Sequence, residues 1–377
     1  MRDHAVHRVL IAGGGVAALE TLLALRASAD GLVEITLLAP EPNFTYRPLA
    51  VVEPFAREGV PSLPLAELAA EHGARLVAGA LAAVDPDARI AVARDGAELS
   101  YDDLVIAAGA RPEPVVAGAT TFAGPQDAAA VAAIVDGVRA GRVRRVALVA
   151  PAGVPWTLPL YELALELSHE RDPAGEPPQL VLATAEQEPL AALGPESSAS
   201  ARELLGARGI ELRTASAVEA VEDGVLWIEL EGGVEVDATI ALPRLRGPAI
   251  AGLPQDARGF LPVDAFGRVR GEEHVYAAGD ACAHRLKQGG LAAQQADTVA
   301  ACIAHAIGAG PRPGSPAPVL RTVLLTGGRS RYLRAPVARG GEEHDRDEVA
   351  EDALWWPPSK VAARHLGPYL AERLLRA

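Results

Sequence analysis

The run Arg8-Val9-Leu10-Ile11-Ala12-Gly13-Gly14-Gly15-Val16-Ala17-Ala18 decides the fold. Val9 to Ala12 are apolar without alternation, as in a parallel strand buried on both faces. Glycines end that strand. From Val16 to about Ala29 the residues Leu19, Leu22, Leu23 and Leu25 recur at helical spacing, and Val33 to Leu38 reads as the next strand. Strand, glycine turn, helix and strand in this order form the first unit of a doubly wound α/β sheet. The turn itself fits G-x-G-x-x-A. Gly13 permits the tight bend, Gly15 lets the backbone approach a pyrophosphate, and Ala18 lets helix and strand pack closely. Val16 and Ala17 open the helix with unpaired N–H groups and a partial positive charge. An acid for ribose hydroxyls is expected at the end of the second strand. Position 39 is alanine, and Glu41 is the nearest substitute.

Working outward, Tyr101 to Pro112 reads as another buried strand ending in small residues and a proline. A second unit follows: a strand at Arg145 to Ala150, a helix from about Leu158 to His169, and a strand at Gln179 to Ala183. The pattern then returns to the first domain. His274-Val275-Tyr276-Ala277-Ala278-Gly279-Asp280 reads as a strand ending in Gly-Asp, and a helix runs from about Leu291 to Ile307. A proline- and glycine-rich linker, Gly310 to Pro318, leads to a hairpin of Val319–Leu325 and Arg331–Leu333 around Gly327-Gly328. The acidic stretch Glu342 to Asp352 reads as a solvated loop. A final helix is predicted from about Ser359. The expected architecture is α/β, with two Rossmann-like dinucleotide-binding domains, the second inserted in the first, and a small C-terminal module. Residues 1–117 and 245–312 make the first domain, 118–244 the second and 313–377 the module.

The 377 residues carry 35 Lys and Arg against 49 Asp and Glu, a net charge of −14, which excludes a phosphate-neutralising nucleic-acid binder. Hydrophobic residues at 49% and charged residues at 22% exclude a disordered chain. Two cysteines, Cys282 and Cys302, exclude a disulfide scaffold and read as buried thiols. No signal-peptide pattern and no transmembrane stretch is visible, so a cytoplasmic protein is expected. Cys282-x-His284 is too local for a metal site, and no metal is expected.

Three segments together resemble the pyridine nucleotide–disulfide oxidoreductase superfamily of two-dinucleotide-domain flavoproteins. They are the glycine turn, the stretch Tyr101…Val105-Ile106-Ala107-Ala108-Gly109-Ala110-Arg111-Pro112, and Gly267-Arg268-Val269…Val275-Tyr276-Ala277-Ala278-Gly279-Asp280. The resemblance implies non-covalent FAD. It assigns Ala108, Gly109 and Arg111 to the cofactor's surroundings, and Gly279 and Asp280 to the second flavin motif, where the carboxylate accepts hydrogen bonds from ribityl hydroxyls. It also implies that the helix after this motif points its N-terminus at the flavin's pyrimidine edge. Lys287, Gln288, Gly290, Leu291 and Gln294 are the candidates there, with Lys287 adding positive charge. Asn43 to Leu49 resembles the family's loop over the cofactor, with Arg47 reaching a phosphate or ribityl oxygen.

The departures narrow the branch. No cysteine precedes Cys282, so the C-x-x-x-x-C pair of the disulfide reductases is absent. The second unit's turn reads Ala150-Pro151-Ala152-Gly153-Val154-Pro155-Trp156. One glycine remains and two prolines remove N–H donors, so NAD(P)H binding there is doubtful. Pro159-Leu160-Tyr161-Glu162 and the C-terminal Trp355-Trp356-Pro357-Pro358-Ser359-Lys360 resemble the sulfide:quinone oxidoreductase branch, but without its catalytic cysteines. The expectation is two-electron transfer from a small-molecule donor through flavin to a quinone-like acceptor. An NAD(P)H dehydrogenase similar to the type II NADH dehydrogenases and a non-catalytic flavin-binding protein stay open. Trp355 and Trp356 either line a quinone pocket or pack the module. The last helix, with Val361, Leu366, Leu370 and Leu374, either docks, forms a homodimer or grazes a membrane. No catalytic residue is assigned, and His284 reads as a proton donor near the flavin or as a structural histidine.

Overall fold

The computed structural model describes residues 6–56, 59–337 and 346–374. The strand His7–Ala12 lies at the middle of a five-stranded parallel sheet, between Val33–Ala39 on one side and Asp103–Ile106 on the other. Arg75–Ala78 and Val275–Ala277 complete its two edges. The chain reverses its direction of travel across the sheet at His7–Ala12. A ligand crevice therefore opens at that strand's carboxyl end, where Gly13 to Gly15 turn into the helix Val16–Ala29. That helix packs beside Gly289–Ala306, and both cover one face of the sheet in a core that includes Leu19, Leu22, Val299 and Ile303.

A second five-stranded parallel sheet is formed by Thr120–Thr121, Ala238–Ala241, Arg145–Ala150, Gln179–Thr184 and Glu211–Arg213, in that spatial order. All its strands fall in sequence between two strands of the first sheet, so one doubly wound unit is inserted in the other. The helix Leu158–Leu167 covers its face with Leu160, Leu163 and Leu167 fully buried.

Three local features differ from the sequence reading. The Tyr101–Pro112 stretch is not one strand. The sheet takes only Asp103–Ile106, the chain turns at Gly109 with φ +69°, and Arg111–Glu113 pairs antiparallel with Arg244–Arg246. Part of the acidic stretch is a strand. Glu348–Ala350 adds to the hairpin Val319–Leu324 and Arg331–Pro336, where Arg334 pairs with Glu348 at 3.3 Å, and just past the strand Arg331 pairs with Glu351 at 2.8 Å. Residues 342–345 of that stretch lie outside the described residues. The final helix begins at Leu366, not Ser359. Ser359 Oγ donates to the Val361 carbonyl at 2.8 Å and Val361 N–H donates to Tyr46 Oη at 3.0 Å, so both groups are engaged outside a helical ladder. The helix starts where Glu20 takes its first orphan N–H groups, from His365 at 2.8 Å and Leu366 at 2.6 Å. Leu366 and Leu370 are buried against the first domain, so this part of the helix's apolar face is docked within the chain.

Candidate cofactor site

Gly13 has φ +139°, and a Cβ there would stand 2.1 Å from the Ala107 carbonyl oxygen. The turn and the end of the Asp103–Ile106 strand therefore touch backbone to backbone, joined by the Ala107 N–H donating to the Ala12 carbonyl at 2.8 Å. Gly15 is different: nothing lies within 4 Å of its would-be Cβ. It is exposed and caps the helix Val16–Ala29 with no side chain, leaving the first-turn N–H groups open. Bare backbone, helix N-terminus and open space together suit a phosphate.

The second flavin-like segment arrives at the same place. Gly279, with φ +76°, has its would-be Cβ 3.2 Å from the Ala17 Cβ and 3.3 Å from the Ala292 Cβ. Its N–H donates to Gln295 Oε1 at 2.7 Å. The next residue, Asp280, is half-buried and its carboxylate makes no hydrogen bond among the described residues. Burial pushes its pKa up, against the opposing pull of Lys287 and Arg47. A poorly solvated acceptor without a donor fits a ligand that brings hydroxyls. Ala108 and Arg47 are exposed around this crevice, Arg111 is exposed on the short strand beyond Gly109, and Glu41 is exposed two residues past Ala39.

Lys287, Gln288 and Gln294, expected near the cofactor, each have partners within the chain. Lys287 is buried over the Phe260 ring, 4.0 Å from its centroid. Its Nζ donates to the Asp280 carbonyl at 3.0 Å and to the Cys282 carbonyl. It secures the turn that aims Asp280, because an ammonium taken from water must find acceptors. Gln288 caps the helix Gly289–Ala306 by accepting from Leu291 N–H at 2.8 Å, and donates to the Arg321 carbonyl at 3.0 Å. Gln294 clasps Val319 through both its N–H, at 2.9 Å, and its carbonyl, at 2.8 Å. Gly290 and Leu291 are buried. The would-be Cβ of Gly289 lies 2.9 Å from Val361 Cγ2, and that of Gly290 lies 3.5 Å from the Ala362 carbonyl. Gly289 lets the C-terminal segment lie against the helix start, whereas the tight neighbour of Gly290 is Gln288 Oε1 at 3.0 Å.

Lys360 anchors that segment, a role its sequence position alone does not reveal. It is buried, and its Nζ stands 2.7 Å from each carboxylate oxygen of the fully buried Glu162 and 2.9 Å from the Pro48 carbonyl. Glu162 also accepts from Leu325 N–H at 2.9 Å. Beside them, Val361 N–H donates to Tyr46 Oη at 3.0 Å. A signal for another such joint, Glu20, is legible in retrospect: it is the lone acid on a helix whose other residues from Ala17 to Leu25 are apolar, save Thr21. Trp355 packs edge-on against Tyr332 and donates to the Ser359 carbonyl at 3.0 Å, whereas Trp356 is 87% exposed.

Cys282 is fully buried, and burial pushes its thiol up to about 12; Cys302 is half-buried, and both are free. Among the described residues no group of three His, Cys, Asp or Glu is placed to hold a metal, and no helix is long and apolar enough to cross a membrane.

A family model for the pyridine nucleotide-disulphide oxidoreductases matches residues 7–296. The chain belongs to this family. Members of the pyridine nucleotide-disulphide oxidoreductase family typically bind FAD, and the crevice above fits that group. Among its relatives, the sulfide-quinone reductase of Aquifex aeolicus is 27% identical over 258 residues, which is 64% of this chain and 59% of that protein. An NADH dehydrogenase-like protein of Mycobacterium tuberculosis is 26% identical over 302 residues, 74% of each. The crystal structure of the Aquifex aeolicus sulfide:quinone oxidoreductase shares the fold, with a TM-score of 0.79 and 23% identity over 92% of this chain and 87% of that one.

Within this oxidoreductase, a cleft of about 1570 Å³ runs between the second sheet's turn at Gly153 to Thr157 and the segment from Ala283 to Leu291. His284 is exposed on its rim. Glu186 stands after the Gln179–Thr184 strand, but its Oε2 accepts from Tyr161 Oη at 2.7 Å and Thr184 Oγ1 at 3.2 Å.

Proposed function

We propose that the chain is an FAD-dependent oxidoreductase that takes two electrons from a small-molecule donor and passes them to a quinone-like acceptor. The observation that carries this reading is the meeting of Gly279 and Ala17, which puts the unpartnered Asp280 beside the first turn of the glycine-capped helix. The open N–H groups after Gly15 would hold the pyrophosphate, Asp280 would accept from ribityl hydroxyls, and Arg47 would offset their charge. The flavin supplies the two-electron chemistry. The chain's own part is to orient the ring, to cover it with the segment around Lys360 to Ala362, and to hold Asp280 through Lys287.

A protein thiol pair is not part of the proposal, because Cys282 is sealed in the core and held as a thiol. Contact with a membrane, where a quinone dissolves, is proposed through the exposed Trp356. Leu366 and Leu370 are occupied inside the chain. An NADH donor is the second reading, favoured by the size of the cleft beside the Gly153 turn.

The test is the visible spectrum of the purified protein, followed by anaerobic stopped-flow mixing with NADH, NADPH, sulfide and other donors. Flavin bleaching by a donor, with recovery on adding a soluble quinone, is the expected result. A colourless protein that cannot be reconstituted with FAD refutes the cofactor, and bleaching by NADH at enzymatic rates selects the second reading.

A further inference from the structure

The turn of the inserted domain has fewer free backbone donors than a glycine-rich dinucleotide turn, and two arginines stand beside it. Pro151 and Pro155 have no N–H, and the Val154 N–H is spent on the Pro151 carbonyl at 3.3 Å. A Cβ on Gly153, whose φ is +87°, would lie 3.5 Å from Arg244 Nε and 3.6 Å from Arg258 Nη2, so both guanidiniums border one glycine. Arg244 is fixed there, its Nε donating to the Ala152 carbonyl at 2.7 Å. Its terminal nitrogens and the whole Arg258 guanidinium have no hydrogen-bond or ion-pair partner among the described residues. The nearest acid in sequence, Asp256, turns Oδ1 to the N–H groups of Arg258 and Phe260 at 2.8 and 3.0 Å. Arg258 lines a large cleft and Arg244 borders the same glycine; two such like charges, each with free planar donors, suit a shared oxyanion. Trp156, Leu245 and Phe260 give the adjoining wall an apolar surface.

We propose that Arg244 and Arg258 bind the carboxylate or phosphate of a small molecule at the Gly153 turn, and that this molecule is not a dinucleotide. Guanidinium forks supply donors that Pro151 and Pro155 cannot. The carboxylate that would receive a nucleotide's ribose, Glu186, is already bonded to Tyr161 and Thr184. The idea that the molecule is the electron donor rests on the flavin reading above, but the anion site itself does not.

Isothermal titration of the holoprotein with inorganic pyrophosphate and with malonate tests it. Saturable binding of either is expected, weakened at least tenfold by Arg258→Gln and by Arg244→Gln. It should be unchanged by Arg246→Gln, an exposed arginine on the same strand that already pairs with Glu113. Arg258 touches nothing that its loss would unfold, so that variant is informative even if Arg244→Gln disturbs the turn. No binding of either anion, equal loss in Arg246→Gln, or NADH binding far tighter than pyrophosphate and indifferent to both arginines overturns the proposal. Because heat and not flavin colour is read, anion binding that survives in a protein no donor can reduce supports this site while refuting the functional reading.

Discussion

Replacing Lys360 by methionine removes the only cation that faces Glu162 among the described residues. Glu162 is fully buried, and the lysine side chain is 7% exposed, so neither charge is shielded by water. In the variant the carboxylate keeps one donor, Leu325 N–H. Breaking one side of such a pair costs about 3–5 kcal/mol, whereas a surface pair is worth about 1 kcal/mol at most. The stranded acid relieves part of that cost by taking a proton, and burial already raises its pKa. A raised folded-state pKa gives stability that is complete below the unfolded value near 4.3 and lost as pH rises. The deficit of Lys360→Met should therefore be small at pH 5 and full at pH 8. In Glu162→Met/Lys360→Met both charges are gone, and stability should return to within about 1 kcal/mol of the parent. Urea unfolding of the four proteins of this cycle measures the coupling directly. A single-variant loss below about 1 kcal/mol at pH 8, or a double variant no better than the single, would show that the pair is not the joint described here.

Other outcomes follow from the crevice and the helix pair. Gly13→Ala should cost about 3 kcal/mol or more or fail to fold, since its Cβ meets backbone, while Gly15→Ala should fold normally and lose at least tenfold in FAD affinity, measured by fluorescence titration of apoprotein. Asp280→Ala should lower FAD retention on gel filtration with little change in the unfolding midpoint; unchanged retention counts against the proposed ribityl contact. Burial, with Glu20 beside it, pushes Asp297 up to about 8. Its contribution to stability should be complete below about pH 4, decline as pH rises and be gone above about 8. Asp297→Asn should flatten that dependence in urea midpoints at pH 5, 7 and 9, and an unchanged slope would exclude Asp297 as its source.

Local chemistry explains what could be read in advance. The Gly13 turn, the two parallel sheets and the Gly279-Asp280 strand end each depend on residues within one segment: apolar runs, glycines that meet backbone, a helix start. Their juxtaposition was implied by resemblance to a family, not by spacing. What could not be read depends on partners far away in sequence. Lys287 reads as a positive charge for the flavin edge, but its hold on the Asp280 carbonyl shows only in the fold. Glu348–Ala350 looks like a solvated run until the basic strand Arg331–Pro336 lies beside it. The helix at Leu366 has no cap in its own sequence, because its cap is Glu20.

Those distant partners share one physical logic. Apolar packing is non-directional, and it would let the C-terminal module settle on the two domains in several ways. Glu20 on His365 and Leu366, Glu162 on Lys360 and Leu325, Asp347 on the N–H groups of Glu196 and Ser197, and Gln294 on Val319 each place a polar group at a joint between segments. A module shifted by a few ångströms would strand a buried carboxylate at Glu20 and another at Glu162, each costing more than a lost methyl contact. These joints therefore select one docking out of many. The segment they fix, Lys360 to Ala362, is the one pressed against Gly289, so the buried acids set the geometry of the proposed flavin cover.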